Sequence, residues 1–222
     1  MKTPIVIPGI DAPTEQAVRD QLKRFAGLSP WIHLDIADGS FTPVSTWGSP
    51  TSWRTLVAEI PALAGVQLEV HLMVKHPELV VESWLAAGAR RVIVHVETLA
   101  DAEVVLDQCV AHRAGAMLAI APGTAIAALE PYLTQFSAFQ VLAVAPGRPG
   151  QALQPEVIPT IAFLRQRAPG ATLEVDGGIT PETIADCRRA GADTFISTSY
   201  LLAGADSASA YQRLVDALTA HA

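Results

Sequence analysis

Cysteine is scarce: the chain contains two, Cys109 and Cys187, among 222 residues. Both stand in helix-like polar contexts. A disulfide framework is therefore a poor reading, and a reducing, cytoplasmic setting is the expectation. Cations are also short. Fifteen Lys and Arg stand against 22 Asp and Glu, a net charge of −7, so the clustered positive charge that nucleic acid or an anionic membrane demands is missing. No apolar run approaches the roughly 20 residues of a membrane-spanning helix. The longest, residues 117–129, is broken by Pro122-Gly123-Thr124. The amino-terminal stretch, Lys2 followed by Ile5-Val6-Ile7, lacks the apolar segment and cleavage site of a secretory signal. Charged residues make up only 17% of the chain and hydrophobic ones 50%, which supplies a large core and argues against disorder.

What is present is a repeated phrase: an Ala-rich segment, a glycine, then a short β-rich run. Ala87-Gly88-Ala89 leads into Arg91-Val92-Ile93-Val94-His95-Val96, Ala114-Gly115-Ala116 into Met117-Leu118-Ala119-Ile120, and Ala190-Gly191-Ala192 into Thr194-Phe195-Ile196-Ser197. Looser copies begin at Gly27, Gly65 and Gly170. Glycine just past a helix is the common left-handed cap, so each phrase reads as helix, cap, strand. The strands are near-continuous apolar runs, as in a parallel sheet covered by helices. Helices are expected over 14–25, 77–87, 101–112, 125–132, 156–167, 181–190 and 207–220. With Ile5-Val6-Ile7 and the run 139–144 included, about eight strands recur at barrel-like spacing. The expectation is one (β/α)₈ barrel domain over residues 1–222. A doubly wound sheet is the competing architecture, but Pro8-Gly9-Ile10-Asp11 supplies no glycine-rich fingerprint after the first strand.

Four strands finish in two ionisable residues separated by one apolar residue: His33-Leu34-Asp35, Glu69-Val70-His71, His95-Val96-Glu97 and Glu174-Val175-Asp176. Residues two apart on a strand share a face, so in a barrel these pairs converge near the carboxyl-terminal mouth. Charges gathered in a core must pair or bind a cation. His95 and Glu97 fit a structural ion pair equally well. His33, Asp35, His71 and Asp176 mix imidazole and carboxylate, a donor set for Zn²⁺, Mn²⁺ or Fe²⁺. His76, His112 and His221 are read as solvent-facing. Glycine-rich turns follow the sixth and seventh strands, at Pro146-Gly147-Arg148-Pro149-Gly150-Gln151 and Asp176-Gly177-Gly178-Ile179, and Thr198-Ser199 follows the eighth. Late loops of this kind bind phosphate in many barrels through backbone N–H groups.

The segments Trp31-Ile32-His33-Leu34-Asp35-Ile36-Ala37-Asp38-Gly39-Ser40-Phe41-Thr42-Pro43, Glu69-Val70-His71-Leu72-Met73-Val74 and Glu174-Val175-Asp176-Gly177-Gly178-Ile179, in this order, resemble the ribulose-phosphate 3-epimerase family. The resemblance covers essentially the whole chain. It implies a barrel enzyme that inverts C3 of a ketose phosphate with one divalent metal ion. His33, Asp35, His71 and Asp176 become the ligands by that resemblance, and Asp35 and Asp176 the two acid/base groups. Inversion beside a carbonyl removes a proton from one face and returns one to the other, which calls for two opposed carboxylates. His71, Met73, Gly147, Arg148, Gly150, Gly177, Gly178, Thr198 and Ser199 fall at substrate and phosphate positions. The family's habit of assembly implies a homo-oligomer, with Trp47 and Trp53 either at an interface or packed on the barrel.

Departures from the family pattern cluster on the substrate side. Gly9 stands at a serine position, Ala37 and Leu142 at methionine positions, Pro149 within the turn expected to close over substrate, and Thr198 where the family has glycine. Two other readings compete. A lyase of the same superfamily would carry Asp-x-Lys-x-x-Asp, whereas this strand reads Asp35-Ile36-Ala37-Asp38, without the lysine. A barrel that has lost turnover and serves as a sugar-phosphate binding protein is motivated by the altered loops.

Overall fold

The computed structural model describes residues 3–147 and 150–219; Arg148, Pro149 and His221 lie outside them. Eight strands, β1 (Ile5–Ile10), β2 (Trp31–Ala37), β3 (Gln67–Met73), β4 (Ala89–His95), β5 (Gly115–Ile120), β6 (Ala138–Leu142), β7 (Thr172–Asp176) and β8 (Thr194–Ser197), follow one another in chain order as a closed barrel. The (β/α)₈ expectation is met. The backbone groups into two compact halves, residues 8–116 and residues 3–7 with 117–219.

In the half spanning 8–116, β2 and β3 run in parallel without a slip, from Trp31 opposite Gln67 to Ala37 opposite Met73. Every residue of β2 after Trp31 is buried, as a strand with both faces covered requires. Helix α1 (Glu15–Phe25) starts where the Thr14 side chain accepts from Ala17 N, and it buries Val18, Leu22 and Phe25, one stripe at helical spacing. Helix α2 (Pro50–Ala58) is absent from the sequence expectation. Its start is nonetheless written in the chain, because Ser49 accepts from Ser52 N and Pro50 occupies the first turn. It buries Trp53, which therefore packs on the barrel. The helix expected over 77–87 is interrupted: a 3₁₀ turn spans Pro77–Leu79 and α3 (Val81–Ala86) restarts beyond Val80. Two adjacent β-branched valines at that junction disfavour an unbroken first turn. Helix α4 (Ala102–Ala111) follows, capped by the Asp101 side chain.

In the other half, β6 and β7 place Gln140 opposite Glu174 and Leu142 opposite Asp176. After β5, the expected α-helix is a 3₁₀ segment, Ile126–Tyr132. Pro131 within it lacks an N–H and clashes with a regular α turn. A 3₁₀ turn at Pro155–Val157 precedes α5 (Ile158–Arg167). Helix α6 (Pro181–Ala190) opens on a reciprocal cap between Thr180 and Thr183 and ends at Gly191, whose φ is +117°. A four-residue α7 (Ser199–Leu202) and then α8 (Ser207–Thr219) complete this half. Both cysteines are buried and unpaired; burial pushes the Cys109 thiol up to about 11 and the Cys187 thiol up to about 12. Among the described residues, no helix is long and apolar enough to cross a membrane.

Candidate active site

Strand periodicity builds the site. On β2, His33 and Asp35 share a face, as Glu69 and His71 do on β3. The register sets His33 opposite Glu69 and Asp35 opposite His71. His33, Glu69, His71 and His95 are fully buried, and Asp35 is 8% exposed. Asp35 Oδ1 lies 2.8 Å from His71 Nδ1 and 3.3 Å from His33 Nε2. Burial pushes the Asp35 carboxyl up, but His33 and His71 outweigh it and hold the group well below the usual carboxylate range. Behind these groups, His33 Nδ1 is 2.8 Å from Glu69 Oε1, and Arg91 Nη1 donates to Glu69 Oε2 at 2.7 Å. The Arg91 guanidinium rests over the Trp31 ring at 4.6 Å. His95 Nδ1 lies 3.0 Å from Glu97 Oε2. The other His95 nitrogen, Nε2, sits 2.8 Å from His71 Nε2. Of the histidines read as surface groups, His76 is exposed and His112 meets Glu82 at 2.8 Å on the surface.

In the second half, Asp176 ends β7, is 8% exposed, and lies opposite Leu142 on one side and Ile196 on the other. Its backbone carbonyl accepts from Ala143 N at 2.7 Å. Two residues back, buried Glu174 accepts from Gln140 Nε2 at 3.0 Å. The turn that follows has Gly177 at φ +101° and Gly178 at φ +66°. A side chain at Gly178 would put Cβ 2.2 Å from the Leu153 backbone nitrogen, and one at Gly177 would meet Val144 at 2.5 Å. Thr183 Oγ1 donates to the Gly178 carbonyl at 2.8 Å and Ser197 Oγ to the Ile179 carbonyl at 3.2 Å. These glycines therefore serve loop-on-loop packing. Gly147 and Gly150 also hold positive φ, +84° and +75°. Thr198 is half-buried and Ser199 is exposed at the start of α7. Met73 is buried, opposite Ala37.

As donors, His33, Asp35 and His71 are buried and converge within residues 8–116, and Asp176 is the buried carboxylate at the end of β7 in the other half. Imidazole and carboxylate donors of this kind suit a divalent transition ion. Gln140 and Arg91 carry no site signal in the sequence alone. Each lies opposite a buried glutamate in the strand register, a signal that exists only once the strands are aligned.

The sequence model described as the ribulose-phosphate 3 epimerase family matches residues 5–202. A ribulose-phosphate 3-epimerase from Chlamydia pneumoniae is 35% identical over 179 residues, 78% of this chain and 76% of that protein. Another, from Mycobacterium bovis, is 31% identical over 218 residues, 95% of this chain and 91% of that protein. Among solved structures, 3-keto-L-gulonate-6-phosphate decarboxylase from Vibrio cholerae superposes with a TM-score of 0.72 over 100% of both chains at 13% identity; at that identity the likeness concerns the fold alone. With the family model spanning most of the chain and the site motifs in place, the chain belongs to the ribulose-phosphate 3-epimerase family.

Proposed function

We propose that this chain is a metal-dependent epimerase that inverts C3 of a ketose phosphate, D-ribulose 5-phosphate and D-xylulose 5-phosphate or a related sugar phosphate. The observation that carries the reading is the buried strand-end carboxylate of Asp35 flanked by His33 and His71, with Asp176 the buried carboxylate that ends β7. Asp35 takes the C3 proton from one face of the substrate and Asp176 returns a proton to the other; the reverse reaction exchanges their roles. A divalent ion of the Zn, Mn or Fe type, held by His33, Asp35, His71 and Asp176, would supply positive charge to the oxygens of the developing cis-enediolate. The His33 and His71 rings flank Asp35, and a cation held among them would keep its carboxyl ionised, the form a proton acceptor needs. Buried Met73, Ala37 and Leu142 present apolar surface and exclude water.

The phosphate, in this reading, is held by backbone N–H groups of the Gly147 and Gly150 turn, of Gly177 and Gly178, and of Thr198 and Ser199, with His71 and Met73 on the sugar side. Arg148, outside the described residues, supplies a cation in the same turn. Family membership supports the rest of the reading: a single barrel domain, a cytoplasmic setting and a homo-oligomer.

Incubation of candidate ketose phosphates in deuterated water, with and without chelator, tests the proposal directly. Deuterium should enter C3 in the metal-loaded protein and should cease to enter after chelation. Asp35→Asn and Asp176→Asn should each slow exchange by about 10²–10⁴-fold while circular dichroism stays unchanged. Absence of exchange with every substrate in the metal-loaded protein sinks the proposal, and full activity in both variants sinks the acid/base assignment.

A further inference from the structure

His95-Val96-Glu97 is a strand-end pair to which the proposed chemistry gives no role, yet its side chains touch a ligand. Hydrogen-bond logic runs inward from both ends of the buried network in residues 8–116. On one side, Glu69 is ion-paired with Arg91 at 2.7 Å, and a carboxylate only accepts. In the neutral ring that metal ligation requires, the contact of 2.8 Å between Glu69 Oε1 and His33 Nδ1 places the one hydrogen on Nδ1. The remaining nitrogen, Nε2, carries a lone pair and faces Asp35 Oδ1 at 3.3 Å. On the other side, the Glu97 side chain is 18% exposed and contacts His95 Nδ1 at 3.0 Å. A neutral His95 ring then carries its one hydrogen on Nδ1, and its Nε2 is an acceptor. His71 Nε2, 2.8 Å away, must donate to it. That leaves the lone pair of His71 on Nδ1, 2.8 Å from the same Asp35 oxygen.

Two ring lone pairs and a carboxylate oxygen thus point at one another. Three acceptors so arranged repel unless a cation lies among them. The ring planes have independent support: His95 stacks on His71 with centroids 5.0 Å apart at 23°, and Phe41 packs on His95 at 4.8 Å.

We infer that Glu69, and Glu97 acting through His95, are positioning residues that set the tautomers of the two ligand rings, so that His33 presents Nε2 to the metal ion and His71 presents Nδ1. Outer carboxylates that orient ligating histidines are a general device of metal sites. Here one acts directly and the other through an intervening imidazole. The inference rests on the metal-dependent reading above and extends it to the groups behind the ligands.

Zn²⁺ is the probe, since it is diamagnetic and favoured over Mn²⁺ and Fe²⁺ by nitrogen and oxygen donors. The full chain, stripped with chelator and reloaded with Zn²⁺, is examined by ¹⁵N-histidine NMR. His33 should be protonated at Nδ1 and His71 at Nε2. Zn²⁺ affinity is then measured by competition with a chromophoric chelator. His95→Phe, which keeps bulk but removes the acceptor, should weaken binding by about ten- to hundred-fold. Glu97→Ala should weaken it in the same direction, and His95→Gln, whose amide oxygen can accept from His71, should recover most of the affinity. A Zn²⁺-bound His71 protonated at Nδ1 overturns the inference, as does a folded His95→Phe chain that binds Zn²⁺ as tightly as the parent. Should that variant not fold, the NMR tautomers of the parent chain decide alone. A parent chain that binds no Zn²⁺ overturns the metal-dependent reading itself and this inference with it, a result unlike either of the others.

Discussion

Individual residues divide into those whose chemistry shows in the chain and those whose meaning depends on a neighbour. His33, Asp35, His71 and Asp176 were legible because alternation along a strand fixes which side chains share a face. The roles of Glu69, Arg91 and Gln140 were not, because they arise from register between strands. Gly178 is a third kind. Its sequence context suggests a phosphate-binding turn, and the structure adds a packing role, with φ +66° and Leu153 N 2.2 Å from where Cβ would stand. Gly27 also has positive φ, +79°, with nothing within 4 Å of a Cβ. Gly178→Ala should thus lose on the order of 2–6 kcal/mol, left-handed strain plus overpacking. Gly27→Ala should lose about 1–2 kcal/mol, strain alone. Denaturant midpoints of the two variants make the comparison, and equal losses would discount the loop-packing role of Gly178.

Elements were legible where buried strands alternate with glycine-capped helices. They were obscured where local chemistry competes. Pro131 turns the connection after β5 into a 3₁₀ segment, and Val80 with Val81 splits the helix before β4. Helix α2 escaped notice although Ser49-Pro50 is a start signal, because its short apolar stripe, Trp53 and Leu56, is too sparse for periodicity to register. Helix α6 carries the clearest cap. Thr180 and Thr183 satisfy each other's backbone groups, and Thr183 also reaches the Gly178 carbonyl. Thr180→Ala should cost about 1 kcal/mol, whereas Thr180→Ser should cost almost nothing. Thermal unfolding would register the first as a fall of roughly 2–4 °C for a chain of this size. Equal melting of both variants would mean that the Thr180 hydroxyl contributes nothing as a cap.

At the scale of the whole molecule, metal binding and folding should be linked, because the proposed ligands come from β2, β3 and β7, far apart in sequence, and would act together only in the native chain. An ion that binds only the folded state stabilises it in proportion to the logarithm of its concentration over Kd. At a hundredfold excess over Kd the gain is about 2.7 kcal/mol, or roughly 5–11 °C in melting temperature. Scanning calorimetry with Zn²⁺, then with chelator, should show that rise and its reversal. A melting temperature indifferent to both would count against a resident ion.

The turn at Gly177-Gly178 is pinned in three ways: by Leu153 against its backbone, by Thr183 on the Gly178 carbonyl, and by Ser197 on the next carbonyl. Its conformational entropy is surrendered during folding, before any substrate arrives. A phosphate docking on its amides, as proposed, would forfeit little further freedom there. Affinity at that turn is then governed by how many amides reach the ligand, and hardly at all by the ordering of the loop.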